Sequence, residues 1–197
     1  MTINLTIDKK NIDNDFNRIA SELMNNWILK VESKKYRIAE IEFYFKSDFH
    51  NDIYIHGHDL QKRKEKWYFH GSGVDITFGS NEFYGGILIR AIYDLTNQKY
   101  IYGPLNSVTE IFSNVKSVYE SNLSFGLVPA DKNKLEMEEP ISAPRVGLNP
   151  DKDNEMFDSF YRFLIMPKQK HAEKTKIAEG MKQQEKYTED DINEIWG

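Results

Sequence analysis

The stretch from Tyr36 to Phe45, YRIAEIEFYF, constrains this chain more than any other. Its alternation argues for a β-strand, because successive side chains of a strand point to opposite faces. One face carries Ala39, Ile41, Phe43 and Phe45 and suits a core. The other carries Ile38, Glu40, Glu42 and Tyr44. Two carboxylates beside a tyrosine fit either a solvated outer face or the wall of a partly dry cleft. In a dry cleft a carboxylate becomes a stronger base and can take a proton near neutral pH.

The rest of the chain can support such a cleft. It has 197 residues, 40% of them hydrophobic and 13% aromatic, enough for one substantial core. Cysteine is absent, which removes disulfides, thiolate nucleophiles and thiolate metal sites together and fits a reducing compartment. No apolar run has the length of a membrane span. The opening MTINLTIDKKNIDND has no basic start followed by an apolar block. A cytoplasmic protein with no membrane partner is therefore expected. The formal net charge of −5 argues against a broad DNA-binding surface, though not against a local basic patch.

Other segments read as follows. Residues 3–7 form a short strand or an arm. Phe16, Ile19, Leu23 and Trp27 have helical spacing, with Ile28 on the same helix and Asp13 as its N-cap. DIYIHGH alternates and places Asp52, Tyr54, His56 and His58 on one strand face. Trp67–His70, Val74–Gly79 and Ile87–Leu95 are β-prone. Arg90 shares a face with Leu88 and Ile92, a setting in which arginine needs an anionic partner. Pro104 opens a helix with Leu105, Val108, Phe112 and Val115 on one stripe. Residues 121–150 are proline-rich and loop-like, and Phe160–Met166 is a late strand. After Pro167 the chain becomes highly charged, and Thr188 opens a short helix with a capping-box pattern. The expected fold is α+β. A single domain, 1–167, has a mostly antiparallel sheet flanked by helices. A charged, helical tail, 168–197, is dispensable for the core fold and available to a protein partner.

The chemistry is narrowed by what the spacing does not match. Four of the five histidines lie between His50 and His70. His56 and His58 at i, i+2 could face one metal, with Glu42 or His70 as a third ligand, but the spacing fits no zinc motif, so no metal is expected. Ser72, His70 and Asp75 lie too close on one hairpin to converge as a triad. There is no phosphate-binding loop and no dinucleotide fingerprint, and no cofactor is required. Paired carboxylates with a nearby arginine suit glycosidic hydrolysis, where one carboxylate activates water against a cation-like sugar.

Six short motifs then occur in a familiar order. They are Ala39-Glu-Ile-Glu-Phe-Tyr44, Asp52-Ile-Tyr-Ile-His56, Ile87-Leu-Ile-Arg-Ala-Ile92, Tyr102-Gly-Pro104, Pro144-Arg-Val-Gly147 and Tyr161-Arg-Phe163. Over residues 36–166 this series resembles the 3-methyladenine (alkyladenine) DNA glycosylases. The resemblance implies a curved sheet and a base-excision activity on a purine flipped out of DNA, since the glycosidic bond is out of reach inside a duplex. It makes Glu42 the general base and Arg90 its partner beside the water. Tyr44 and His56 contact the base, and Arg145 with Val146 lines the water site. It also places Asp75 where a base-stacking tyrosine is expected, so the ordinary alkyladenine preference should be weakened. Phe78 falls where a wedge residue would fill the gap left by the base. Two other readings keep the same pocket. One takes a free nucleoside, nucleotide or single-stranded nucleic acid as substrate, and the other is a non-enzymatic binding module.

Overall fold

The computed structural model describes residues 2–119, 123–152 and 154–196. It is α+β, a single domain built on a curled antiparallel sheet. The organising strand, β2 (Lys34–Ser47), follows α1 (Ile12–Asn26) and β1 (Trp27–Val31). β2 then pairs with β3 (His50–Asn51). After it come β4 (Lys64–His70), β5 (Gly73–Phe78), β6 (Tyr84–Asp94) and β7 (Lys99–Tyr102). α2 (Pro104–Phe112), β8 (Phe125–Pro129), β9 (Ile141–Ala143), α3 (Asn154–Asp158) and β10 (Arg162–Leu164) follow, and α4 (Lys174–Lys182) and α5 (Glu189–Trp196) end the chain. The main path of the sheet runs β4-β5-β6-β2-β1-β8. β10 joins β2 below β1 and carries β9 on its far side.

β2 is buried on both faces, so neither carboxylate is on a solvated surface: Glu40 and Glu42 are both 0% exposed. On the core face α1 packs Phe16 flat against Phe43, ring centres 4.2 Å apart. Phe45, Phe78 and Tyr161 surround Phe16 edge-on.

The alternation of β2 is not strict. Its register with β6 runs Ile38 to Ile92, then Glu40 to Ala91, then Ile41 to Ile89. Ala39 is therefore an extra residue on β2 and Arg90 an extra residue on β6. A bulge re-aims the side chains beside it. Here Ile38 and Ile92 enter the core, while Glu40, Glu42, Leu88 and Arg90 face the other way. Arg90 thus shares a face with Leu88 but not, as expected, with Ile92.

Several local expectations change for physical reasons. α1 ends at Asn26, and Trp27 and Ile28 belong to β1. Asn11, not Asp13, precedes α1. Residues 52–58 do not form a strand. The Asp52 carboxylate accepts the N–H groups of Phe45 and Tyr54, and these side-chain bonds replace a ladder. Residues 121–150, of which 121 and 122 lie outside the described residues, contain β8 and β9. α2 does begin at Pro104, but it buries Ser107 and Ile111 and leaves Leu105 and Phe112 about half exposed.

Within residues 168–196, α4 and α5 pack against the sheet. Ile177, Met181 and Ile192 form an apolar cluster with Ile141, Ala143 and Leu164. α5 opens on the expected capping box: the Thr188 hydroxyl accepts the Asp191 N–H, and the Asp191 carboxylate accepts the Thr188 N–H.

Candidate functional site

One cavity, about 320 Å³, lies on the face of β2 opposite the aromatic core, lined by residues from separate parts of the chain. β2 supplies Tyr44, β5 Asp75, and β6 Leu88 and Arg90. The loop after β3 supplies Tyr54 and His56, and the loop after β9 supplies Val146. The sheet register explains the convergence. Tyr68 pairs with Asp75, Asp75 with Leu88, Leu88 with Glu42, and Glu42 with Arg162. Residues paired across a sheet point to the same face, so this single row spans five strands and brings polar groups from four of them to either side of Leu88.

Glu42, fully buried, sits behind this lining and is held by three of its residues. Its Oε1 accepts the Val146 N–H at 2.7 Å. Its Oε2 accepts the Tyr44 hydroxyl at 2.8 Å and Arg90 Nη1 at 3.2 Å. A carboxylate has about four acceptor positions, so three donors leave room for one more, such as a water. Burial and the nearby Glu42 charge push the Tyr44 phenol well above its usual range, so it stays protonated and donates. Burial alone would lower the Arg90 guanidinium, but Glu42 and Glu40 raise it.

Glu40 does a different job. Its Oε1 accepts Arg162 Nε at 2.8 Å and Arg90 Nε at 3.1 Å. Its Oε2 accepts His171 Nδ1 at 2.7 Å, and His171 Nε2 donates to the Met166 carbonyl at 3.0 Å. His171 comes from the C-terminal segment. It was not legible in the sequence because it lies 131 positions from Glu40. Burial pushes the Glu40 carboxyl up, but the His171 bond and the charges of Arg162, His171 and Arg90 outweigh it and hold it at about 2, against an ordinary 4.5.

That depression favours the folded state whenever Glu40 is ionised. The contribution is complete above about pH 4.5 and is lost as pH falls toward about 2. Its size is on the order of 3 kcal/mol. Thermal melts are therefore expected to lose stability below about pH 4.5, and Glu40→Gln should flatten that acid limb. Parallel acid limbs in the wild type and the variant would assign the loss to another group.

Arg145 supports the site from behind. It holds Asp52 through both terminal nitrogens, at 2.6 and 3.2 Å, and donates to the Phe43 and Met156 carbonyls. Its guanidinium lies 4.7 Å from the Tyr44 ring centre. Arg145 is fully buried and fixes the loop that presents Val146.

The second pole of the cavity is Asp75. Gln61 Nε2 donates to its Oδ2 at 3.1 Å, and His70 Nε2 donates to its Oδ1 at 3.0 Å. His70 and Asp75 do therefore meet on the hairpin. Ser72 contributes its backbone N–H to His70 Nδ1 at 3.2 Å, and that contact involves no hydroxyl. The His56 ring lies 4.4 Å from that of His70. Burial and the neighbouring His70 lower the His56 imidazole, although Asp75 opposes the shift. Gln61 and His70 had no motif signal. From the sequence, His70 reads only as a metal ligand or a triad member.

Phe78 is not at the cavity. It is fully buried among Phe16, Phe43 and Phe45, so it cannot act as a wedge. His50 is held away from any metal role by the Phe45 carbonyl and the Tyr161 hydroxyl. Among the described residues no group of three histidine or carboxylate side chains could hold a metal ion. Elemental analysis of protein made without a histidine tag is expected to show substoichiometric metal, and chelators should leave the melt unchanged. Stoichiometric metal would overturn this.

No known family model matches the chain. The uncharacterized protein L759 of Acanthamoeba polyphaga mimivirus is 30% identical over 199 aligned positions, covering 83% of this chain and 92% of the viral protein. The chain belongs to the family of that protein. The similarity spans nearly all of the viral chain, so the two are alike as whole domains and not through one shared motif. No helix among the described residues is long and apolar enough to cross a membrane.

Proposed function

We propose that this protein is an N-glycosidic hydrolase resembling the alkyladenine DNA glycosylases, acting on a purine base turned out of its strand. The observation that carries this reading is the convergence of Arg90 and the Val146 N–H, both from the cavity lining, on the buried Glu42 directly behind it. These three groups come from three of the six glycosylase-like motifs. Glu42 takes a proton from water as the oxygen attacks C1′, and the base departs with the bond electrons. Arg90 and the Val146 N–H hold Glu42 in place, and Tyr44, Tyr54 and His56 wall the base. The residues present supply the acid–base chemistry without a cofactor.

The test is release of free base from nucleosides and from single- and double-stranded oligonucleotides carrying normal and damaged purines, followed by chromatography. Release that depends on Glu42 supports the proposal, and no release from any of them overturns it. The net charge of −5 favours a smaller or single-stranded substrate as the second reading. Tight duplex binding with a steep salt dependence would exclude that reading.

A further inference from the structure

We propose that Asp75 reads the edge of the bound base, and that the base is of the guanine type, with two adjacent hydrogen-bond donors. This rests on the glycosidic reading above and specifies its substrate.

The placement comes first. Asp75 and Glu42 flank Leu88 in one register row, on strands either side of β6. Two strand spacings put their Cα atoms about 10 Å apart. A flat bicyclic ring with its glycosidic nitrogen toward Glu42 therefore directs its far edge toward Asp75. Both carboxylates belong to the same face, and Asp75 lines the cavity.

The chemistry of Asp75 comes second. The carboxylate is buried, yet its partners are a neutral amide and an imidazole. Ser72 donates its N–H to His70 Nδ1, so the His70 Nε2 carries the proton that faces Asp75. Among the described residues no lysine or arginine forms an ion pair with Asp75. A buried carboxylate without a cation is costly unless strong donors complete it. Each Asp75 oxygen takes one protein donor, which leaves about one acceptor position on each. Space for this arrangement comes from Gly86, where a Cβ would lie 2.5 Å from Asp75 Oδ2 and 2.9 Å from Gln61 Nε2.

Two acceptors side by side match two donors side by side. Guanine presents N1–H beside its 2-amino group and can bind a carboxylate through both. Adenine places a bare N1 beside its 6-amino group, so one acceptor meets a lone pair. Hypoxanthine offers N1–H alone. The two tyrosine hydroxyls at the pocket are already committed, that of Tyr44 to Glu42 and that of Tyr54 to the Asn149 carbonyl.

The test is binding of guanosine, inosine and adenosine, free and as the central nucleotide of a short single strand, measured by calorimetry. Wild type, Asp75→Asn and Gly86→Ala are compared, each checked by thermal melt. Guanosine should bind at least about tenfold more tightly than the other two, in line with one bidentate pair. Asp75→Asn should erase that preference. Gly86→Ala keeps the carboxylate but displaces it, and should erase the preference as well, so the test survives if Asp75→Asn does not fold. Equal binding of the three, or a guanosine preference retained in both variants, overturns the assignment to Asp75 and leaves the base pocket standing. Binding of no nucleoside in either form overturns the base pocket and this inference with it.

Discussion

Glu42→Gln is expected to reduce base release by about 10²–10⁴-fold, with a melt close to that of the wild type. Glutamine fills the same space and still accepts the Val146 N–H, but it cannot take a proton from water. Arg90 keeps its bond to Glu40, so no buried cation is abandoned. Glu40→Gln should show the opposite pattern. Arg162 and His171 would both lose their carboxylate, and breaking a buried pair of this kind costs about 3–5 kcal/mol. A melt combined with steady-state kinetics on both variants separates the roles. If Glu40→Gln folds normally but is inactive, and Glu42→Gln turns over, the two assignments must be exchanged.

Truncation after Lys168 is the second large effect. The charged composition after Pro167 suggests a segment that can be removed. The structure gives three reasons to expect otherwise. His171 leaves with the segment and uncovers Glu40. The Ala172 carbonyl, which accepts Arg162 Nη2, goes too. Ile141, Ala143 and Leu164 lose the apolar cover of α4 and α5. The loss of the His171 contact alone is worth about 3–5 kcal/mol. At about 2–4 °C per kcal/mol for a chain of this size, the melting temperature should fall by about 6–20 °C from this contact alone. A cooperative melt within a few degrees of the full chain would show that the sheet closes over Glu40 without its C-terminal cover.

Both predictions turn on groups that differ in how visible they are in the sequence. Glu42, Tyr44 and Arg90 are legible because they lie on strongly alternating, β-prone strands, and an ion on such a strand must find a partner. The bulge is not legible. Ala39 and Arg90 look like ordinary strand residues, and only pairing between two strands makes them extra. β1, β8 and β9 are hidden for a related reason. β1 reads as the end of a helix because Trp27 and Ile28 extend the apolar stripe of α1. β8 and β9 are short pieces in a proline-rich stretch, defined by their neighbours. The loop around Asp52 alternates like a strand, but alternation cannot reveal that its carboxylate has taken over the backbone donors. Motif position alone points Phe78 toward a wedge role, and the aromatic core takes it up instead.

The two bulges of β2 and β6 cancel. After Ala39 adds a residue to one strand and Arg90 a residue to the other, the strands return to their former register. Deleting either residue alone would slide one half of the sheet against the other and turn its side chains inside out. Arg90 is therefore tied to the fold as a spacer, whatever chemistry it serves. A relative that has lost all activity would still be under pressure to keep a residue there, and an arginine while Glu40 stays charged. Glu42 has no such spacer role in the register, and its constraints come from its hydrogen bonds. In comparing members of this family, an arginine at this position reports on the architecture, and a carboxylate at position 42 is what the proposed hydrolysis requires.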